Sequence, residues 1–351
     1  MSPESDAPPP PRPSLRDIGK AVGLSHVAVS LALRDSPRIS EAKRIEVKAA
    51  AERLGYRPDP MLASLVAYRR GKQVMGIRSS IGWINMWEEP KALRRFREFD
   101  GYWTGAKVAA ERLGYHLEEF CWPRGKSGAR LQSILETRGV RGLLIPPHGG
   151  DLDLPNFDWG RFSLVRFGSS VTNLPVHTVT SDQSHCTRLA CQRALAYGYA
   201  RVGYVTDEAF ERSTGGHFRE GYLNALEEFA TPNNRLKILV LGSATRKNQA
   251  EFAEWMKKQK PRAVLTTSPK LLGIIEGLGL RVPEDLAVAT TSVLDGNFDA
   301  GADQNSHEIG RVAISTLAGL ILENERGIPQ YQRRILVEGR WVDGRSLPRM
   351  A

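Results

Sequence analysis

Cysteine is scarce in this sequence of 351 residues, and an odd number, Cys121, Cys186 and Cys191, cannot all pair in disulfides. No pair of them has zinc-finger spacing, so the sequence favours reduced thiols over a disulfide framework or a zinc site. There is also no apolar run near the ~20 residues that span a bilayer, and no apolar signal-peptide core at the N-terminus. We therefore expect a cytoplasmic protein with no membrane partner.

The common catalytic motifs are missing as well. The sequence has no G-x-x-x-x-G-K-[ST] phosphate loop, no H-E-x-x-H and no G-x-S-x-G elbow. Its seven histidines show no metal-ligand spacing, and Asp182 and His185 have no Ser or Cys nucleophile in a motif beside them. These absences predict no enzymatic activity, no bound metal and no cofactor.

Positive charge is abundant, and it is unevenly placed. The net charge is +10, and residues 12–72 hold thirteen Lys/Arg against six Asp/Glu, so +7 lies in about a sixth of the chain. A compact basic module is the electrostatic footprint of a polyanion binder. Because 351 residues exceed one compact core, the length indicates two or three domains.

The N-terminal region reads as a tail followed by short helices. Residues 1–13 include "APPPPRP", which predicts a disordered tail, and residues 14–58 predict a helix-turn-helix domain. Ser14 and Asp17 suit a capping box, and Gly23 permits a tight turn after the first helix. The remaining caps and helices are Ser25 before His26–Leu33 and Ser40 before Glu41–Leu54.

This stretch resembles the DNA-binding headpiece of the LacI/GalR (lactose-repressor) family of bacterial transcription regulators. The resemblance rests on "LRDIGKAVGLSHVAVSLAL", "RISEAKRIEVKAAAERLGYRPDP" and the Leu65 that follows. It implies that the second helix enters the major groove of double-stranded DNA, with each copy of a homodimer reading half of a near-palindromic operator. An ordinary three-helix bundle is the alternative. The contacts that the resemblance implies are base-edge contacts from His26, Val27 and Ala28, and backbone contacts from Ser25, Ser30 and Arg34.

Residues 59–78 predict a hinge helix and linker, with Asp59 as N-cap and Pro60 at the first helical position. The resemblance implies that this helix folds only when two copies pack together on DNA. Leu65 would then wedge between base steps of the minor groove, with Leu62 beside it. Leu62 departs from the family, which has a small alanine there. A buried linker helix with Leu65 merely packed is the alternative.

From residue 79 to residue 345 apolar strands alternate with amphipathic helices, which predicts parallel sheets with right-handed crossovers. The stretches "GYARVGYV", "GLRVPEDLAV" and "DQNSHEIGRVA" resemble the periplasmic-binding-protein-like core of the same family. The fold class expected is thus α/β, with an all-α headpiece before a two-subdomain core. Crossings are expected near Tyr197, Gln304 and Tyr331. They give an N-subdomain of 79–197 plus 305–331 and a C-subdomain of 198–304 plus 332–345.

Ligands of such folds bind at the carboxyl ends of the strands, in the cleft between subdomains. Aromatic faces and hydroxyl-binding polar groups at these positions suit a small-molecule effector such as a sugar or sugar derivative. Phe218 stands where sugar-binding members have Arg, and Ser268 stands where they have an acid. For each residue a packing role is the alternative. The predicted effector-binding residues are Asn85, Trp87, Trp103, Asp182, His185, Arg219, Ser268 and Gln304.

The resemblance and the charge together predict a dimeric, sequence-specific regulator, a repressor of carbohydrate-use genes under allosteric control by the effector. A solute-binding protein without a DNA role is the alternative, against which the basic headpiece argues. The sequence after the core contains no leucine heptads, so a tetramer built on a coiled coil is not expected.

Overall fold

The computed structural model describes residues 13–33, 36, 38–54 and 79–350, and the chain divides into two units, residues 1–76 and 77–351. Of the predicted DNA contacts, Arg34, Leu62 and Leu65 lie outside the described residues, as does the whole predicted hinge and linker, 59–78. The predicted tail, apart from its last residue, lies outside them too.

The first unit contains α1 (Leu15–Val22), α2 (His26–Leu33) and α3 (Glu41–Arg53). The predicted cap of α1 forms, because the backbone N–H of Ser14 donates to the Asp17 carboxylate at 2.8 Å. Gly23 ends α1 with φ +66°, in the left-handed region that favours glycine. The three helices bury a common core of Ile18, Val22, Val29, Ala32, Val47, Ala50 and Ala51.

The second unit alternates strands and helices, as predicted. Its strands are β1 (Ser79–Asn85), β2 (Tyr115–Cys121), β3 (Val140–Ile145), β4 (Ser163–Phe167), β5 (His177–Ser181), β6 (Val202–Asp207), β7 (Leu239–Leu241), β8 (Ala263–Thr266), β9 (Ala287–Thr290), β10 (Gly301–Asp303), β11 (Arg334–Val337) and β12 (Arg340–Val342). Its helices are α4 (Arg97–Arg112), α5 (Gly128–Thr137), α6 (Gln183–Ala196), α7 (Glu208–Thr214), α8 (His217–Phe229), α9 (Thr245–Gln259), α10 (Leu271–Gly277) and α11 (Ser306–Glu323).

The first subdomain is built on a parallel sheet of order β11-β5-β4-β3-β1-β2. One face packs Trp83, Val165 and Phe167 against α4 and α11, and the other packs Leu143 and Leu164 against α5. Helices α4 and α11 approach closely: a Cβ at Gly105 would collide with the His307 carbonyl, so glycine is required there. Every residue of β4 and β5 is buried, as expected for parallel strands covered on both faces.

The second subdomain is built on a sheet of order β12-β10-β9-β8-β6-β7. Tyr204 and Leu265 pack beneath α6 and α8, and Val205 and Val264 pack beneath α9 and α10. The short strands β10 and β12, which the sequence did not indicate, pair antiparallel, whereas the other described pairs of this sheet are parallel.

The chain crosses between the subdomains at places that correct two of the predicted boundaries. The expected crossing near Tyr197 places α6 in the N-subdomain, but Cys186 and Ala190 of this helix pack in the core of the second sheet, so the crossing lies near Asp182. Strand β11 pairs with β5 through Ile335↔Val179, so the third crossing lies after Val337, not near Tyr331. Apolar periodicity identifies a buried face but not the sheet that covers it.

The second crossing passes between β10 and α11, at the predicted Gln304. The first subdomain therefore runs to about residue 182 and resumes from about 305 to 338. The second subdomain comprises the residues between and after, which replaces the expected 79–197 plus 305–331 and 198–304 plus 332–345.

Candidate functional site

The start of α2 projects from the first unit. Ser25 caps the helix by accepting a hydrogen bond from the Ala28 N–H at 3.2 Å. His26 is exposed and Val27 is 56% exposed, whereas Val29 is fully buried in the three-helix core. The cap and the buried face thus orient the first turn of α2 outward.

The predicted DNA-reading residues within the described part of the chain follow this pattern. Ser25 and His26 are exposed with Val27, and Ala28 and Ser30 are half-buried. Val27 thus places an apolar side chain in solvent at a capped helix start, where it suits contact with a thymine methyl group. Which bases these side chains meet stays a prediction.

In the second unit, Gln304 lies at the meeting point of the two subdomains. It is 7% exposed, accepts from Ser181 Oγ at 2.7 Å, and donates from Nε2 to the Thr291 carbonyl at 3.0 Å. Ser181 ends β5 of the first sheet and Thr291 follows β9 of the second. Gln304 therefore ties the carboxyl ends of both sheets together, with its amide already bonded to protein atoms.

A second connection between the subdomains, which we call the acidic contact, consists of Glu98, Asp295, Ser292 and Ser306. Asp295, in the loop after β9, accepts from the backbone N–H groups of Arg97 (2.6 Å) and Glu98 (3.2 Å). A carboxylate from the second subdomain thus binds the positive end of α4 in the first. Glu98, 4% exposed, accepts from Ser292 Oγ at 2.5 Å and from Ser306 Oγ.

The pKa values of both carboxyl groups in the acidic contact are raised. The pKa of Glu98 is raised to about 7, chiefly by burial and also by the nearby Asp295 and Asp303 carboxylates, while the Ser292 hydrogen bond lowers it. Burial also raises the pKa of Asp295, against its two backbone hydrogen bonds. Sequence reasoning missed Glu98 because an acid in the first turn of a helix is ordinary.

Three predicted effector residues of the first subdomain make contacts within it. Asn85 is fully buried and donates to the Pro90 carbonyl and to Glu119 Oε1, each at 2.9 Å. Trp87 donates from Nε1 to the Pro147 carbonyl at 2.9 Å. Trp103 meets Trp83 edge-on, with ring centroids 5.4 Å apart. Asn85 thus has a packing role in this structure. Trp87 and Trp103 are half-buried, so a part of each ring remains exposed.

An aromatic row follows α4 from the surface inward. Centroid distances are 5.8 Å for Trp87 to Phe96, 5.0 Å for Phe96 to Phe99, 5.8 Å for Phe99 to Tyr102 and 5.1 Å for Tyr102 to Phe167. Phe96, at 43% exposed, is the most exposed ring of the row, and it lies two positions before Glu98 of the acidic contact. The row thus places one exposed aromatic ring close to hydrogen-bonding groups.

In the second subdomain Ser268 is buried and donates from Oγ to Asp207 Oδ2 at 3.0 Å. Asp207 ends β6, is also buried, and has the Lys270 ammonium 4.0 Å away. A buried carboxylate from the neighbouring strand β6 thus lies against Ser268, the position where the resemblance places an acid. The signal for Asp207, an acid directly after a buried run, was present in "GYVTD".

The other predicted effector residues lie on two helices of the second subdomain. Asp182 caps α6 by accepting from the His185 N–H at 2.9 Å, and both side chains are half-buried. Arg219 is exposed on α8, next to the buried Phe218. Of the eight predicted residues, Gln304 is the one whose side chain bonds both subdomains in the described structure.

A groove of about 450 Å³ opens beside the acidic contact. It is lined by α4, by the first turn of α11, and by Leu294, Asp303 and Arg340 of the second subdomain. None of the eight predicted effector residues lines it. Within the described ranges, no helix is long and apolar enough to cross a membrane, and no group of three metal-ligating side chains occurs.

Sequence reasoning also missed a set of basic residues, which we call the basic contact: Arg166, Arg334 and His217. Arg166 lies inside the buried strand β4, at 7% exposed, and donates from Nη1 to the Gly168 carbonyl at 2.5 Å. Its Nε is buried without a partner among the described atoms. Arg334 Nη1, on β11, lies 3.2 Å from His217 Nε2 at the start of α8, so this contact also joins the two subdomains.

Comparison with protein families matches both units. Residues 14–59 match the family described as bacterial regulatory proteins, lacI family, and residues 192–347 match the periplasmic binding protein-like domain. Among curated proteins, the HTH-type transcriptional regulator KdgR of Bacillus subtilis (strain 168) is 24% identical over 336 residues, covering 90% of this chain and 93% of KdgR. The repressor PurR of Proteus mirabilis (strain HI4320) is 24% identical, with 95% and 99% covered.

Solved structures share the fold. A complex of the transcriptional regulator CelR with cellobiose aligns with a TM-score of 0.55 at 20% identity, covering 95% of this chain and 100% of that one. The lac repressor dimer bound to operator and the anti-inducer ONPF aligns with a TM-score of 0.52 at 18% identity, covering 96% and 100%. At these identities the likeness establishes the fold.

Proposed function

Because the chain belongs to the LacI family of bacterial regulatory proteins, we propose that it is a dimeric cytoplasmic repressor of carbohydrate-use genes. Family membership makes it a DNA-binding transcription regulator with an effector-binding core, and not an enzyme. The observation that carries the proposal is the capped, outward-facing start of α2 in the headpiece, in the same chain as a two-sheet core.

At the operator, we place His26, Val27 and Ala28 against base edges in the major groove. His26 can donate to or accept from a base, and the apolar pair suits thymine methyl groups. Ser25, Ser30 and Arg34 would contact phosphates, and Leu62 and Leu65 would meet the minor groove from paired hinge helices. Two-fold symmetry of a homodimer requires a near-palindromic operator.

The effector of this proposal is a small molecule, a sugar or a derivative, bound between the subdomains. The CelR structure holds cellobiose on the same fold, which supports a carbohydrate. Phe96, Asp207 and the acidic contact offer ring faces and hydroxyl partners near the strand ends. Effector binding would change the angle between the subdomains and so the spacing of the two headpieces, with a coupling free energy of about 1–3 kcal/mol between the two binding events.

A solute-binding protein without a DNA role is the alternative function. This alternative explains the two-subdomain core but assigns no function to residues 14–59, which match the lacI family. Selection of bound duplexes from a random pool, by the full chain at physiological ionic strength, decides between them. We expect enrichment of a near-palindrome, and recovery of unenriched sequence would support the alternative.

The enriched duplex then tests the assignment of His26. Replacing His26 by Ala should cost about 1–3 kcal/mol of binding on the preferred operator and relax preference at one base position. The matched control is His116→Ala, an exposed histidine on β2, which should leave DNA binding unchanged. If His26→Ala weakens binding equally on every duplex, His26 contacts DNA without reading a base.

A further inference from the structure

The basic contact contains a buried guanidinium, that of Arg166, which forms no ion pair with a carboxylate of the described structure. Arg166 lies in the middle of the first sheet, and its pKa is lowered by burial and by the neighbouring Arg334. Its one hydrogen-bond partner is a neutral carbonyl, and its Nε has none among the described atoms. A buried guanidinium without a carboxylate is costly, so a folded protein that keeps one usually has a use for it.

Arg334 projects from the same face of the sheet as Arg166. Both are aligned with Thr178 of β5, one from β4 and one from β11, so their side chains leave the sheet on one side of a single row. Neither forms an ion pair with a described carboxylate, whereas the adjacent Arg333 is bonded to Glu325. Two like charges thus lie on one face of the sheet with one strand between them, and their repulsion is relieved when an anion binds there.

The start of α8 completes this region from the second subdomain. Gly215 and Gly216 both have positive φ, and no side chain caps the helix. His217, its first residue, contacts Arg334 at 3.2 Å and has the exposed Glu220 carboxylate 3.4 Å from its Nδ1. An uncapped helix start presents backbone N–H groups and a positive dipole end, which favour oxyanions.

We propose that Arg166, Arg334 and the start of α8 bind an oxyanion carried by the effector, a carboxylate or a phosphate. The inference rests on the proposed function, and it specifies the class of ligand as an acidic or phosphorylated carbohydrate instead of a neutral one. Because Arg166 and Arg334 belong to one subdomain and α8 to the other, an anion held by all of them joins the subdomains and favours closure.

Thermal unfolding of the full chain in phosphate, acetate or chloride at equal ionic strength tests the site with minimal probes. We expect phosphate or acetate to raise the unfolding temperature above its value in chloride. Calorimetry then compares three ligands: glucose 6-phosphate, which carries a phosphate, glucuronate, which carries a carboxylate, and uncharged glucose. A charged sugar should bind at least about tenfold more tightly than glucose.

Two variants locate the site. Arg166→Met should weaken binding of the preferred anion about tenfold or more without lowering the unfolding temperature in chloride, because the substitution removes an unbalanced buried charge. Arg334→Gln, at an exposed position, should weaken the same binding and keeps the test available if Arg166→Met misfolds. The matched control is Arg188→Gln, since Arg188 is already bonded to Glu228 through two nitrogens at 2.8 Å.

The proposal is overturned if phosphate and acetate act like chloride, if glucose binds as tightly as its charged relatives, or if both variants bind anions as well as the parent chain. DNA selection on the same preparation separates the two levels of inference. Operator recognition without an anion effect rejects this site alone, and anion binding without operator recognition rejects the proposed function alone.

Discussion

The acidic contact and the basic contact join the same two subdomains in opposite ways. At the first, Asp295 caps α4 and two serine hydroxyls bond Glu98, so each acid has partners within the protein. At the second, α8 begins without a cap and Arg166 retains an unpartnered Nε among the described atoms. The polar groups of the acidic contact are thus satisfied within the protein, whereas the basic contact retains groups that an anionic ligand would satisfy.

Among changes at the acidic contact, loss of the Glu98 charge should have the largest effect on the free energy of unfolding. The pKa of Glu98 is about 7 in the folded protein against an ordinary 4.5, so its ionisation opposes folding. Its contribution is most favourable below pH 4.5, declines as pH rises from 4.5 to 7, and is about 3 kcal/mol less favourable above pH 7. Glu98→Gln should remove this dependence in denaturant unfolding measured from pH 5 to pH 8.

The control for Glu98→Gln is Glu323→Gln, at the exposed end of α11, which should keep the parental pH profile. If Glu98→Gln and the parent chain lose stability in parallel between pH 5 and pH 8, the carboxyl of Glu98 is not the titrating group.

Removal of the cap should have the next largest effect. Asp295→Ala leaves the first N–H groups of α4 without their acceptor and should reduce the free energy of unfolding by about 1 kcal/mol. It should also lower the pKa of Glu98, because a neighbouring negative charge is lost. Unfolding by urea measures the first effect, and the pH midpoint of stability measures the second.

The exposed Asp153 supplies the matched control, and Asp153→Ala should change unfolding by less than about 0.5 kcal/mol. Equal stability of the Asp153→Ala and Asp295→Ala variants would mean that the acidic contact does not hold the subdomains together.

The smallest effect is expected from Ser292. Ser292→Ala deletes one of two hydroxyl donors to Glu98, while Ser306 remains, so the loss should be about 1 kcal/mol or less at pH 8. Because that hydrogen bond lowers the pKa of Glu98, the midpoint of the pH profile should move upward. Ser315→Ala, on the exposed side of α11, is the control. A downward movement of the midpoint would contradict the assigned direction of the hydrogen bond's effect.

Local features were predictable wherever they depend on neighbours in the sequence. The caps at Ser14 and Ser25, the turn at Gly23 and the alternation of strands and helices follow from short-range hydrogen bonding and side-chain periodicity. The family resemblance rests on these same short patterns. It therefore reached the fold and the regulator class, which the comparisons confirm.

Site residues were harder to predict because their roles depend on what lies across the subdomain boundary. Asn85 and Ser268 stand at strand ends, as expected, yet their polar atoms bond Glu119 and Asp207 within the protein. Glu98 and Arg166 carried no motif, and their significance comes from burial beside residues distant in the chain.

The sequence by itself determined the headpiece, the two-sheet core and the concentration of positive charge near the N-terminus, since propensity, periodicity and charge are properties of consecutive residues. Only the tertiary structure decided that α6 covers the second sheet, that β11 extends the first, and that acids gather at one contact and arginines at the other. The physical reason is that burial and charge pairing depend on distances in space, which bring together residues far apart in the chain, such as Glu98 and Ser306, 208 positions apart.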